Sequence, residues 1–140
     1  MSSIPPLSDR QAEAREWLTY ARANVAYAEA GRGAGVLFEY LCFDAEQAAE
    51  KALKAALIVR GTRPPKIHDL DQLIGLLRGG GVDVPDAIQR AGALSPFAAQ
   101  ARYPGSADPH PQEEDLIEAL AIAQTVIDWA ARMIEAMPPE

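Results

Sequence analysis

The chain has 140 residues, of which 49% are apolar and only 6% aromatic, so it is long enough for one hydrophobic core and too short for two ordinary domains. Abundant alanine and few aromatic residues favour close-packed helices over a sheet, because strands are enriched in β-branched and aromatic residues. The formal net charge of −7 argues against a broad nucleic-acid-binding surface, which needs a basic stripe to neutralise phosphates.

The cysteine content and the first residues indicate a cytoplasmic protein. There is one cysteine, Cys42, so no internal disulfide can form, and its apolar neighbours indicate a small buried side chain. The first six residues contain neither the basic region nor the apolar stretch of a secretory signal. No uncharged run approaches the roughly 18 apolar residues that a membrane-spanning helix needs. We therefore expect a soluble protein without a membrane partner.

The first predicted element is a long amphipathic helix. Residues 1–7 are predicted to form a disordered tail, because two consecutive prolines prevent an earlier helix start. Ser8 followed by Gln11 is a capping-box pattern, which predicts that the helix begins there. The helix should end at Gly31. Its apolar stripe consists of Leu18, Ala21, Val25 and Ala28.

The second predicted helix is longer and has an unusually small apolar face. It extends from about residue 36 to residue 60 and ends before Gly61. Alanine occupies most of this face, so a partner helix can approach closely. The connector that follows contains Pro64 and Pro65, which make it stiff. The face recurs at spacings of three and four: Leu41, Ala45, Ala48, Ala52, Ala56 and Val59.

Two shorter helices are predicted in the middle of the chain. His68 or Asp69 can cap the third helix, which leads into three glycines at residues 79–81. No strand precedes these glycines and no Lys-Ser/Thr pair follows them, so they indicate a flexible loop instead of a phosphate-binding loop. The fourth helix is predicted to begin at Pro85 and to kink or break near Ser95.

The last predicted helix, from about residue 112 to residue 137, has the clearest periodicity. Acidic residues in its first turn suit the positive end of the helix dipole. Short connectors between long amphipathic helices predict an all-α fold, an antiparallel up-and-down bundle of four to five helices over residues 8–137. The sequence leaves open whether this helix or the alanine face serves a dimer. Its stripe is Leu116, Leu120, Ala123, Ile127, Ala130, Ile134 and Met137.

Basic residues are concentrated between the second and third helices. From residue 51 to residue 66 there are no acidic residues, and five are basic: Lys51, Lys54, Arg60, Arg63 and Lys66. In a structural interpretation these cations stabilise the helix dipole, by roughly 0.3–1 kcal/mol each, and Lys54 forms an ordinary surface ion pair with Glu50 one turn earlier. In a functional interpretation Lys51 and Lys54 contact a phosphate or a nucleotide.

Two further polar motifs are candidates for a site. His68 can orient the connector, or it can take part in proton transfer or nucleobase contact. Arg102, which precedes Tyr103, can bind a phosphate through its planar guanidinium or tie the fourth helix to Glu46 or Glu50. The sequence leaves these alternatives open. The chain has only two histidines and no His/Glu pair at ligand spacing, so we expect no metal site and no cofactor.

Five short motifs, in their order and spacing, resemble the HEPN family (higher eukaryotes and prokaryotes nucleotide-binding domain) over about residues 12–134. The resemblance implies a helical bundle that forms a homodimer and pairs with a minimal nucleotidyltransferase protein, as in toxin–antitoxin modules. A nucleotide or phosphate site would then include Lys51, Lys54, His68, Arg102 and Tyr103. The motifs are an early helix with Trp17 and residues 47–54, 68–70, 102–104 and 118–123.

The same resemblance implies a second activity. Many HEPN proteins are metal-independent ribonucleases in which an arginine and a histidine, separated by four to six residues, face a dimer cleft. There the histidine acts as general base on a ribose 2′-OH and the arginine stabilises the phosphorane charge. Arg63 and His68 match this spacing, but two prolines lie between them, and Arg102 is too far from His110.

These observations leave three hypotheses for the function. The leading hypothesis is a non-catalytic module that binds a nucleotide or a nucleotidyltransferase partner. The first alternative is a ribonuclease toxin that cleaves RNA with His68 and either Arg63 or Arg102. The second alternative is a helical oligomerisation module without a ligand.

Overall fold

The computed structural model describes residues 4–94 and 110–139. Within these ranges the regular structure is entirely helical, as the sequence predicts, and none of the described helices is long and apolar enough to cross a lipid bilayer. The five α-helices are α1 (Leu7–Gly31), α2 (Phe38–Val59), α3 (Leu70–Gly79), α4 (Asp86–Gln89) and α5 (Glu113–Ala136), and a 3-10 turn at Arg90–Leu94 follows α4.

Helix α2 lies at the centre of the bundle, where α1, α3 and α5 pack around it. Fifteen of its 22 residues are buried, which is far more than one stripe. A helix covered on most sides must be apolar or small nearly all round. The alanines of α2 meet this need, because they fill little space and let three neighbouring helices approach.

Both apolar stripes predicted from the sequence face the interior of one chain. Every residue of the α2 stripe is buried, and α5 buries its stripe from Leu116 to Ile134 at the predicted spacing. Met137, the last member of that stripe, is the C-cap residue of α5 and is half-buried. A dimer therefore has neither stripe available and must use residues that the bundle leaves exposed.

The start of α1 differs from the prediction. The helix begins at Leu7, inside the segment predicted to be a tail, and Pro6 is its N-cap without a side-chain hydrogen bond. Leu7 is buried, and its contact with the core explains the earlier start. Ser8 lies inside the helix, and the predicted capping box does not form. Instead the Gln11 side chain donates to the Ile134 carbonyl of α5 at 2.9 Å.

Asp69, one of the two predicted residues, caps α3. Its carboxylate accepts a hydrogen bond from the backbone N–H of Gln72 at 3.2 Å. This is the usual way in which an aspartate satisfies the free donors of a helix N-terminus. The ring of His68 is consequently not used as the cap and is left for another contact.

The fourth helix is shorter than predicted. Pro85 is its N-cap and not its first helical residue, and after four residues the chain tightens into the 3-10 turn. Gly92 lies in this turn against the Asp71 carboxylate of α3, and a Cβ at this position would collide with that carboxylate. The predicted break near Ser95 lies outside the described residues.

Candidate functional site

The ring of His68 is held by a buried carboxylate of α2. Its Nδ1 lies 3.1 Å from Oε1 and 3.2 Å from Oε2 of Glu50. The His68 side chain is 76% exposed, whereas that of Glu50 is 5% exposed. An ionised carboxylate only accepts hydrogen bonds, so Nδ1 carries the hydrogen and donates it. In the neutral ring, the lone pair is then on Nε2.

The same carboxylate is paired with a buried ammonium group. Lys54 lies one turn after Glu50 on α2, and its Nζ is 3.0 Å from Oε2 of Glu50. Both side chains are at least 92% buried, and taking a charge out of water costs several kcal/mol unless an opposite charge offsets it. The Nζ of Lys54 also lies 5.9 Å from the centre of the Trp17 ring in α1, within cation–π range.

These four residues form what we call the Glu50 cluster: Trp17, Glu50, Lys54 and His68. Each is positioned by a different feature of the chain. The helical spacing of four brings Lys54 to Glu50, and the packing of α1 on α2 brings Trp17 over Lys54. The proline-containing connector returns the chain to α2, so that His68 reaches Glu50 from the start of α3.

Lys51, predicted to share a site with Lys54, has different partners. Its Nζ donates to Oδ1 of Asn24 in α1 at 2.6 Å, and the Asn24 amide lies 3.5 Å from Oδ1 of Asp44. Burial raises the pKa of the Asp44 carboxyl, although Asn24 and Lys51 act in the opposite direction. Lys51 therefore belongs to a polar group between α1 and α2.

Arg63, the predicted ribonuclease partner of His68, is bound to a carboxylate of α1. Its two terminal nitrogens donate to the two oxygens of Glu13, at 2.5 and 2.9 Å. These hydrogen bonds hold the pKa of Glu13 below its usual value and raise the pKa of Arg63. A substrate phosphate would therefore compete with the Glu13 carboxylate for the two terminal nitrogens of Arg63.

The remaining predicted site residues, Arg102 and Tyr103, lie outside the described residues. Among the residues described, no group of His, Cys, Asp or Glu side chains is arranged to hold a metal ion. Cys42 is fully buried, and burial raises the pKa of its thiol to about 12. A thiol in this state is not a nucleophile at neutral pH.

Sequence reasoning missed the role of Glu50, because it treated Glu50 and Lys54 as a surface ion pair. The structure buries this pair. One signal was present in the sequence: Glu46, Glu50 and Lys54 recur at intervals of four on a helix whose other residues are mostly small and apolar. Charges on a helix that lacks a clear polar face are candidates for burial.

A surface opening lies between the α1–α2 connection and the start of α5. It has a volume of about 960 Å³, and Arg32, Leu37 and His110 are among the residues that line it. The Nδ1 of His110 is 3.6 Å from the carboxylate of Glu39, which is beyond hydrogen-bond distance. This histidine is therefore not held as His68 is.

Comparison with known proteins supports the helical-bundle fold. The family model of the HEPN domain matches residues 14–134. The crystal structure of TT1696 from Thermus thermophilus is similar, with a TM-score of 0.74 and 32% identity over 86% of this chain and 97% of that chain. ST0689, an archaeal HEPN homologue, shares the fold, with a TM-score of 0.69 and 23% identity over the same shares of the two chains. No curated protein matches at a significant level.

Proposed function

Since this chain belongs to the HEPN domain family, we propose that it is a nucleotide-binding module that works as a homodimer with a partner minimal nucleotidyltransferase. In this proposal the two proteins form a toxin–antitoxin-type pair. The observation that supports it most is the Glu50 cluster, which holds an exposed imidazole in one orientation. A ring that is already oriented loses less conformational entropy when a ligand binds.

The chemistry around His68 suits a nucleotide. Nε2 faces away from the Glu50 carboxylate, so it can accept a hydrogen bond from a nucleobase amino group or, when protonated, donate one to a phosphate. Arg60 and Lys66 are exposed nearby in the sequence, and no acidic residue lies between residues 51 and 66. These cations favour an anionic ligand on this part of an otherwise acidic chain.

Thermal unfolding with ATP or GTP tests nucleotide binding. At a free nucleotide concentration ten times Kd, binding should stabilise the folded protein by about 1.4 kcal/mol and raise Tm accordingly. His68→Ala should reduce this rise, because it removes the exposed ring while leaving the buried pair in place. Arg78→Ala, which removes an exposed cation at the end of α3, is the matched control. An equal rise in wild type and His68→Ala contradicts the proposed site.

The partner is tested by isolating the native protein under mild conditions and identifying co-purifying proteins by mass spectrometry. A stoichiometric nucleotidyltransferase supports the two-component pair. Recovery of the homodimer alone counts against it. Light scattering coupled to size-exclusion chromatography measures the dimer directly.

The Glu50–His68 contact also favours a ribonuclease as a second candidate function. A carboxylate that fixes the Nδ1–H form leaves Nε2 ready to act as a general base, as in hydrolases that use a histidine–carboxylate pair. This candidate predicts RNA cleavage in the presence of EDTA that His68→Ala abolishes without loss of helical content. If neither cleavage nor nucleotide stabilisation is observed, an oligomerisation module without a ligand is the function that remains.

A further inference from the structure

The two histidines of the chain differ in the way their rings are held. The Nδ1 of His68 is within hydrogen-bond distance of both oxygens of a buried carboxylate, and the ring is 76% exposed. The Nδ1 of His110 is 3.6 Å from the Glu39 carboxylate, and that side chain is 49% exposed. The contrast provides an internal control, because one chain contains an anchored imidazole and a loosely placed one.

Anchoring at Nδ1 has a chemical consequence at Nε2. The hydrogen bond to Glu50 fixes the tautomer with the hydrogen on Nδ1, so the lone pair is on Nε2, the ring nitrogen that Glu50 does not contact. The His68 side chain is 76% exposed, so it presents an oriented nitrogen with a free lone pair to solvent.

We propose that Nε2 of His68 is a phosphoryl-acceptor site, at which the protein forms N-phosphohistidine with a phosphoramidate donor. The lone pair of Nε2 attacks the phosphorus atom and a new N–P bond forms. The N–P bond of the donor breaks, and its protonated nitrogen leaves as ammonia with the electron pair. The Nδ1 proton of the phosphorylated ring is released to water by way of the Glu50 carboxylate, so that the ring becomes neutral and Glu50 remains the anionic partner of Lys54.

The surroundings of His68 favour both the donor and the product. Arg60 and Lys66 are exposed on the connector that leads to His68, and they attract an anionic donor. His68 also lies two residues before Leu70, the first residue of α3. A phosphoryl group near a helix N-terminus is stabilised by the helix dipole, which acts against the negative charges of the Asp69 cap and of Asp71 in the first turn.

The proposal is independent of nucleotide binding, because the donor carries no nucleoside. It is tested by incubating the full chain with potassium phosphoramidate and measuring intact mass over time. We expect one phosphoryl group to be added to the wild type, in a linkage that acid cleaves and alkali does not. The His110→Gln variant should be labelled at the wild-type rate, and the His68→Gln variant about tenfold more slowly.

The role of Glu50 is tested separately. Glu50→Gln keeps an oxygen near Nδ1 but cannot take up its proton, so labelling of His68 should slow by about tenfold. Because this substitution also removes the charge partner of Lys54, its helical content is checked by circular dichroism. The comparison of the two histidines requires no change in the core. Labelling of His110 at the same rate as His68 overturns the proposal, whatever the behaviour of the Glu50 variant.

Discussion

Glu50 and Lys54 carry opposite charges in the interior of the bundle, and each charge offsets the free-energy cost of burying the other. When one partner of a buried pair is removed, the remaining charge has lost its main compensation but stays buried. We expect Lys54→Met to lower the free energy of unfolding by about 3 kcal/mol, at the lower end for such pairs because His68 still donates to Glu50. Guanidinium unfolding at neutral pH measures the loss.

The exposed ion pair between Arg63 and Glu13 is the control for that measurement. The side chains of Arg63 and Glu13 are 68% and 36% exposed, so water and salt screen their attraction. Arg63→Ala should therefore cost less than about 1 kcal/mol. If Lys54→Met costs no more than Arg63→Ala, the buried pair does not have the role that its geometry indicates.

The carboxyl group of Asp44 gives a pH dependence of defined sign. Its pKa in the folded protein is raised above the ordinary value of 3.8, chiefly by burial. The folded state therefore holds this proton more tightly than the unfolded state, and the contribution of Asp44 to stability falls as pH rises through the raised pKa. Above that pH the ionised group destabilises the fold.

Asp44→Asn should accordingly be more stable than the wild type at pH 7. We expect a gain below about 1 kcal/mol, because the group is partly solvated and Lys51 offsets part of the cost. The gain should shrink as pH is lowered and vanish below the ordinary pKa of an aspartate, where the carboxyl is protonated in both states. A gain that grows on acidification would contradict the assignment. Thermal unfolding of both proteins from pH 3 to pH 7 measures it.

At the scale of the helices, two glycines at helical positions have opposite surroundings. A Cβ on Gly31, at the end of α1, would lie 2.6 Å from Cδ2 of Leu41, which is buried in α2. A Cβ on Gly75, in the exposed face of α3, would have no neighbour within 4 Å. The same substitution should therefore have opposite effects at the two positions.

Gly31→Ala should lower the free energy of unfolding by about 1–2 kcal/mol, because the closely packed Leu41 must shift. Gly75→Ala should raise it by about 0.5–1 kcal/mol, because alanine has the higher helix propensity and meets no steric conflict. Denaturant titrations of the two variants give both values. A loss at Gly75 would show that α3 is packed more tightly than the structure indicates.

Periodicity in the sequence was sufficient to predict the long helices and one buried stripe on each of α2 and α5. The stripes of α2 and α5 were predicted residue by residue, because spacings of three and four report directly on one helix face. The first turn of α1 was not predicted correctly. Gln11 forms a tertiary hydrogen bond to α5 instead of the local capping bond. A pattern of neighbouring residues cannot predict this bond, because the acceptor is distant in the sequence.

The candidate site was predictable only in part, for a related reason. Lys51 and Lys54 are three residues apart and both are basic, so the sequence alone does not distinguish their environments. Their partners depend on packing: Lys51 contacts Asn24 of α1, whereas Lys54 contacts Glu50 and is buried. His68 was recognised as a candidate from its position, but its carboxylate partner lies 18 residues away in the sequence. Such a contact is fixed by the fold and not by a local motif.

At the scale of the whole molecule, the position of α2 determines how the protein should unfold. Helices α1, α3 and α5 all pack on α2, and the core residues of these helices form one continuous cluster. None of them can leave without exposing the apolar face of α2 to water. The described bundle should therefore unfold in a single cooperative transition, as small domains with one core do.

Two tryptophans on different helices allow the cooperativity of unfolding to be measured. Trp17 lies on α1 and Trp129 on α5, and both are half-buried against the core. We expect the guanidinium transition followed by tryptophan fluorescence to coincide with the one followed by far-UV circular dichroism. Single-tryptophan variants, Trp17→Phe and Trp129→Phe, should give the same midpoint for each probe. A fluorescence transition at lower denaturant for one variant would mean that the helix carrying its remaining tryptophan detaches first.

The same experiment also tests the proposed homodimer. If two chains unfold together, the midpoint rises with protein concentration, because the associated folded state is favoured by mass action. Both interior stripes are used within one chain, so this association must bury residues that are exposed in the single bundle. A midpoint that stays constant over a hundredfold range of concentration would show that the bundle is stable as a monomer. The folded state would then depend on the packing around α2 and not on a second chain.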